Sequence, residues 1–165
     1  VTDRPLRIYV ASSWRCTRYR GVVAGLRTAG FDVYDFREPE PGDHGFSWRQ
    51  VCGEPPPWTA KMTRHVLQYS VVRRGFALDF VAMKWCDALV LVQPCGRSAS
   101  LEAGWASGAG KLTIALLADG EEPELMLRLL DYLVVDLDEA ISILRCAADH
   151  DDTLRLRLVG EGVKP

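Results

Sequence analysis

The sequence predicts a single α/β domain built on a doubly wound, five-stranded parallel sheet. Three observations point there. Short apolar runs rich in β-branched and aromatic residues alternate with segments of helical periodicity. Residues 87–93, DALVLVQ, are almost wholly apolar, as a central strand covered on both faces must be. The opening reads strand, helix, strand, the unit that produces a parallel pair through a right-handed crossover. At 165 residues the chain is long enough for one core without disulfide staples.

Each element follows in order. Residues 6–11, LRIYVA, form the first strand, bounded by the polar pair Ser12 and Ser13. A helix over 17–29 sets Val22, Val23 and Leu26 on one face and stops at Gly30. Residues 31–36 give the second strand. Residues 37–58 break the rhythm with Pro39, Pro41, Gly42, Gly45, Gly53, Pro55, Pro56 and Pro57. A loop this long that also carries Phe46, Trp48 and Trp58 predicts a pocket lid, with Phe46 and Trp48 as candidate ligand contacts. A helical stretch over 59–85, broken near Ser70 or Gly75, buries Phe76, Phe80 and Met83, with Asp79 bordering that face. After the central strand, a tight turn leads to a helix over 101–109 that ends at Gly110. Residues 112–117 are the fourth strand, 123–130 a helix, 132–136 the fifth strand and 137–148 the closing helix. The domain spans 1–149, a doubly wound arrangement of the flavodoxin or Rossmann kind. Residues 150–165 form a tail whose Leu154, Leu156 and Leu158 alternate with Arg155 and Arg157, the pattern of an edge strand or an arm laid on a partner subunit.

Composition excludes several functions. A net charge of −2 argues against a nucleic-acid polymer as partner, because backbone binding needs a basic footprint. The five cysteines, Cys16, Cys52, Cys86, Cys95 and Cys146, contain no CxxC pair, which suits reduced, mostly buried thiols in a cytoplasmic protein. The chain opens on Val1 rather than Met, as a processed or trimmed chain does, and shows no signal peptide and no apolar run near ~18 residues, so neither secretion nor a membrane span is expected. His44, His65 and His150 are scattered, and no metal site, histidine triad or cofactor is expected. The sequence lacks GxGxxG after the first strand and lacks GxxxxGK[ST], which removes the dinucleotide redox and P-loop readings.

A doubly wound sheet binds ligands beyond the carboxyl ends of its strands, where strand order reverses. After the first strand, Ser12 and Ser13 leave backbone amides for an anion, Trp14 offers a flat face for a base, and Arg15 offers charge for a phosphate. The bland alternative is a capping serine with a surface arginine. After the third strand, Gly96, Arg97 and Ser98 stand in a turn whose helix amides suit a phosphate, with Ser98 or Ser100 as cap. Glu102 falls in or next to the first turn, where the bland reading is complementing the helix dipole, worth about 0.3–1 kcal/mol. From either serine it misses the three-residue spacing of a capping box, although from Ala99 the count fits. Asp87 reads as a cap or a structural contact.

Together these segments resemble the nucleoside 2-deoxyribosyltransferase superfamily, including its nucleotide N-glycosidase-like branch. The resemblance covers about residues 6–117 and rests on Ile8-Tyr9-Val10 followed by Trp14, on Asp79 with Asp87 eight residues on, and on Glu102-x-Gly104-x-Ala106 with Gly110-Lys111. It implies that Glu102 attacks the anomeric carbon to form a glycosyl ester, resolved by water or by a second base. It further implies that Tyr9 steers the glutamate and that Asp79 helps the base leave. An anionic carboxylate suits the oxocarbenium-like transition state, and a second acid suits the leaving base. The resemblance implies a nucleoside or nucleotide as small-molecule partner and a homodimer or higher homo-oligomer as the working form. Two departures stand out. The CGRSAS stretch lacks the acid that transferases of the family often carry before the glutamate, and its Arg97 and Ser98 suit a 5′-phosphate, favouring a nucleotide hydrolase. The 37–58 segment is longer than the family pattern, which leaves base specificity open.

Two other readings fit the same residues. A Toll/interleukin-receptor-like domain that cleaves NAD shares the five-stranded fold, and Ser98, Glu102 and Trp105 loosely resemble its pattern. A non-catalytic module that senses a nucleotide through the same cleft is the other.

Overall fold

The computed structural model of the chain describes residues 4–54 and 56–149. Five strands, β1 (Arg7–Ala11), β2 (Asp32–Tyr34), β3 (Ala88–Val92), β4 (Leu112–Leu116) and β5 (Tyr132–Val134), form one sheet in the order β2-β1-β3-β4-β5. Every neighbouring pair is parallel, with Tyr9 opposite both Tyr34 and Leu89, and Val92 opposite Leu116. Six helices accompany them: α1 (Tyr19–Thr28), α2 (Arg49–Cys52), α3 (Ala60–Val66), α4 (Ser70–Trp85), α5 (Arg97–Gly108) and α6 (Leu137–Asp149). The tail over 150–165, expected as an edge strand or arm, lies outside the described residues.

The chain divides into two compact units, Asp35–Trp85 being one and the sheet with α1, α5 and α6 the other. In the sheet unit, every residue of β3 is buried, as its unbroken apolar run requires. The crossovers from β1 to β2 and from β3 to β4 run in opposite directions, so right-handedness puts α1 and α5 on opposite faces. The α1 helix turns Val22, Val23 and Leu26 inward, and Gly25 brings it close to Leu137 of α6. The α5 helix approaches β1, β3 and β4 through Ala99, Ala103 and Ala106, all at most 2% exposed; such small side chains let the helix lie close to the sheet. Asp131 locks β5 to β4 by accepting from the Thr113 amide at 2.8 Å and hydroxyl at 2.9 Å.

In the other unit, Thr59 caps α3 by accepting from the Met62 amide at 3.2 Å. Residues 40–48 are held by contacts among themselves and with α4. Asp43 accepts from the Gly45 amide and from Arg74, at 2.9 Å each, and Arg74 also donates to Glu40. Phe46 packs edge-on against Trp48 (5.0 Å), and Trp48 against Trp58 (5.4 Å).

Several expectations need correction. The helix placed at 101–109 begins four residues earlier, at Arg97, because Gly96, not a serine, is its N-cap. The helix expected over 123–130 is a 3-10 turn, Leu125–Leu129; with Leu125, Met126 and Leu129 50–81% exposed it has no buried stripe to support an α-helix. Of the two places expected for a break in the stretch over 59–85, the one near Ser70 is found, at 67–69 between α3 and α4, and the helix runs unbroken through Gly75. Phe76 is 66% exposed and stacks on Phe80; α4 turns Val72, Ala82 and Met83 inward. β2 and β5 span three residues each rather than six and five. Of the five cysteines, expected to be mostly buried, Cys16 and Cys86 are buried, Cys52 and Cys95 half-buried and Cys146 exposed.

Candidate functional site

The chain leaves β1 toward β2 and leaves β3 toward β4, so the strand order reverses between β1 and β3. In this architecture that switch point opens a crevice at the carboxyl edge. The two loops flanking it are tied together. The Ser12 hydroxyl donates to the Val92 carbonyl at 2.8 Å. Ser13 stands next to Gly96, where even a methyl group would reach the Ser13 Cβ at 4.0 Å. The Ser13 hydroxyl also accepts from the Arg15 amide at 3.2 Å, and its carbonyl from the Cys16 amide at 3.0 Å, which curls residues 13–16 into a turn. That turn leaves Trp14 48% exposed and Arg15 exposed. Of the residues singled out from the sequence, Ser12, Ser13 and Gly96 therefore lie together, with Trp14 and Arg15 exposed beside them.

Two further residues at this edge of the sheet escaped the sequence reading. Arg18 donates through Nη1 to the Gln93 carbonyl at 3.3 Å and to the Leu117 carbonyl at 2.7 Å, fastening the ends of β3 and β4. Gln93 is only 6% exposed; its carboxamide oxygen accepts from the Ala118 amide at 3.3 Å. The signal that could have found Gln93 was a polar residue closing an otherwise apolar strand just before a proline.

The α5 helix starts at this edge. Arg97 and Ser98 are its first two residues, both exposed, and no side chain caps its first turn. Neither Ser98 nor Ser100 is the cap: Ser98 lies inside the helix, and the Ser100 hydroxyl bonds back to the Gly96 carbonyl at 3.4 Å. With Gly96 as N-cap, Glu102 is the sixth helical residue and sits in the second turn, not the first. The dipole acts mainly within the first turn and a capping box needs the third helical residue, so neither accounts for this acid. At ~100° per residue Glu102 lies about 40–100° from Ala99, Ala103 and Ala106, on the flank of the buried face. It is accordingly half-buried. Tyr9 is fully buried in the middle of β1, its ring stacked on Tyr34 at 5.3 Å.

The remaining candidates belong to the Asp35–Trp85 unit. Asp79 lies at the centre of the inward stripe of α4 rather than at its border, between Val72 one way and Met83 the other, and is half-buried. Phe46 packs on Gly75, and Trp48 is 38% exposed.

Other motif residues hold the fold. Asp87 accepts from Arg4 at 2.7 Å, from Arg7 Nη2 at 3.0 Å and from the Arg7 amide at 2.9 Å, a structural contact as expected. Burial pushes its carboxyl pKa up, but the hydrogen bonds from Arg4 and Arg7 outweigh burial and hold it well below the usual carboxylate range. Gly110 ends α5 with φ of 71°, and Lys111 donates to the Cys86 carbonyl at 2.6 Å. Burial raises the Cys95 thiol pKa, against the lowering effect of Ser100. Among the described residues no group of three or more His, Cys, Asp or Glu side chains could hold a metal ion, and no helix is long and apolar enough to cross a membrane.

No protein-family model matches the chain, and no curated protein does. Solved structures do. The chain is similar to a 2-deoxyribosyltransferase from the psychrotolerant bacterium Bacillus psychrosaccharolyticus, with 19% identity and a TM-score of 0.50 over 90% of this chain and 95% of that one. It is also similar to the CMP N-glycosidase BcmB of Clostridium botulinum (20% identity, TM-score 0.47, 84% of this chain and 98% of that one). A third is a conserved protein from Enterococcus faecalis V583 (12% identity, TM-score 0.46, 87% and 99%). At such identities the likeness is one of fold: the chain shares its five-stranded parallel α/β architecture with that 2-deoxyribosyltransferase.

Proposed function

We propose that this protein breaks the N-glycosidic bond of a nucleoside 5′-monophosphate or nucleoside, with Glu102 as nucleophile. The observation that carries the reading is the place of Glu102: a half-buried acid in the second turn of the helix after β3, at the edge where the strand order reverses. The fold shared with a 2-deoxyribosyltransferase supports it. In the proposed reaction the Glu102 carboxylate bonds to C1′ as the base leaves with the bonding electron pair and takes up a proton. Water then cleaves the glycosyl ester, returning the carboxylate, or a second base does so in transfer. The carboxylate opposes the positive charge that develops on the sugar. Arg97 and Ser98 at the start of α5, with Arg15 on the facing lip, favour the 5′-monophosphate and hydrolysis. The same reading takes the enzyme to be a cytoplasmic homodimer.

The test is a panel of nucleosides, their 5′-monophosphates and NAD, followed by chromatography for free base or nicotinamide. Wild type is expected to release base. Glu102→Gln, which keeps the shape but removes the nucleophile, is expected to lose about a thousandfold or more in kcat. Asp79→Asn tests the second acid and is expected to lose about a hundredfold, least with bases that leave easily. Release of nicotinamide alone would replace this reading with NAD cleavage. Tight binding without turnover, unchanged in Glu102→Gln, would replace it with a sensing module.

A further inference from the structure

Gln93 is 6% exposed at the end of β3, and only the oxygen of its carboxamide has a hydrogen bond among the described residues. The Ala118 amide donates to Oε1, which fixes the orientation of the group and turns Nε2 away from that bond. Nε2 has no hydrogen-bond partner among the described residues. Nor is it sealed in the core. The residue is held from every other side. Its amide donates to the Leu116 carbonyl at 3.0 Å, and its carbonyl accepts from Arg18 at 3.3 Å and lies 3.8 Å from the Cys16 thiol. A donor this well positioned, this deeply set and this short of partners stands at the switch point, where a ligand would enter.

We propose that Gln93 is a specificity-determining residue whose Nε2 donates a hydrogen bond to an acceptor oxygen of the bound nucleoside or nucleotide. The inference rests on the glycosidase reading for its ligand class. Two oxygens carry this chemistry, a carbonyl of the base and an oxygen of the phosphate. A ligand lacking the matching acceptor would bury an unpaired N–H, which makes such a residue selective rather than merely sticky.

The informative substitution is Gln93→Glu. It retains an oxygen for the Ala118 amide and converts only the unpartnered donor into an acceptor. Binding of cytidine, uridine, guanosine, adenosine and their 5′-monophosphates is measured by calorimetry in a Glu102→Gln background, so that ligands stay intact. Gln93→Glu is expected to weaken binding about tenfold or more. A loss shared by nucleosides and nucleotides with an oxo base, sparing adenosine, identifies the base carbonyl. A loss confined to the monophosphates identifies the phosphate. Equal affinity for every ligand with and without Gln93→Glu overturns the proposal while leaving the glycosidase reading intact. No binding of any ligand overturns both. Should the variant unfold, the Gln93 side-chain amide signal of the protein carrying Glu102→Gln alone decides. The chain has three glutamines and no asparagine, so only Gln50, Gln68, Gln93 and the substituted position contribute to that region of a 15N spectrum. The Gln93 signal is expected to move on saturation with ligand, and a static signal overturns the proposal.

Discussion

Asp87 ties the start of the chain to the start of β3. Its carboxylate takes hydrogen bonds from residues 80 and 83 positions away and retains 21% side-chain exposure. An exposed ion pair contributes about 0–1 kcal/mol, and a hydrogen bond to a charged group about 1.5–3. Between these limits, Asp87→Asn is expected to cost about 1–2 kcal/mol at neutral pH, lowering Tm by about 2–8 °C in a thermal melt. The carboxyl pKa lies below its unfolded value near ~3.9, so its contribution is complete above that pH and is lost as pH falls through the folded value. The gap between wild type and Asp87→Asn should therefore shrink below about pH 4; a gap constant down to about pH 2 refutes this account. Residues of this kind also mark what a sequence reveals. The structural part of Asp87 was legible from its place at a strand start, but its arginine partners were not, because nothing in local spacing encodes a contact across 80 residues. Gln93 and Arg18 went unread because their roles depend on backbone carbonyls and amides that only the assembled sheet brings near them.

At the scale of elements, two helix glycines pose the same local question and receive opposite answers. Replacing an interior helix glycine by alanine ordinarily gains about 0.5–1 kcal/mol, because the unfolded chain loses freedom. In α5, a Cβ on Gly104 meets nothing within 4 Å, so Gly104→Ala is expected to raise Tm by about 1–4 °C. In α4, a Cβ on Gly75 would stand 2.7 Å from the Phe46 Cβ and 3.0 Å from its Cγ. Those atoms lie near the backbone and cannot swing aside, so overpacking of about 1–3 kcal/mol exceeds the propensity gain and Gly75→Ala is expected to lower Tm. Differential scanning fluorimetry of both variants decides, and equal shifts would show that Phe46 is not docked there. Element type was legible wherever an apolar period persisted, as in α1 and β3. It failed where the deciding force was tertiary. The α5 start went to Gly96 although the serine-rich turn offers several caps by composition, and Leu125–Leu129 is leucine-rich without a surface to bury against.

At the scale of the whole molecule, the sheet gathers distant segments into one place. Ser12 and Val92 are 80 residues apart, and Arg18 and Leu117 are 99 apart, yet each pair is joined by a hydrogen bond at the carboxyl edge. A ligand held by these loops binds the folded chain and not the unfolded one, so it must stabilise the fold by mass action. At a free concentration of 100 times Kd the gain is about 2.7 kcal/mol, which for a chain of this length raises Tm by about 5–10 °C. The measurement is cleanest in Glu102→Gln, where the ligand survives the scan. If Glu102 acts on the transition state more than on the bound ligand, this variant keeps the wild-type shift at early times while losing turnover. Asp87→Asn serves as the control for stability alone. It should start from a lower Tm and show the same ligand increment, because Asp87 lies at the beginning of β3 and the crevice lies beyond its end. Nucleosides, 5′-monophosphates and NAD are each titrated, and the compound with the largest shift at equal concentration names the ligand class without relying on chemistry. A chain whose Tm ignores all three at millimolar concentration has no nucleotide site at its switch point, whatever its fold.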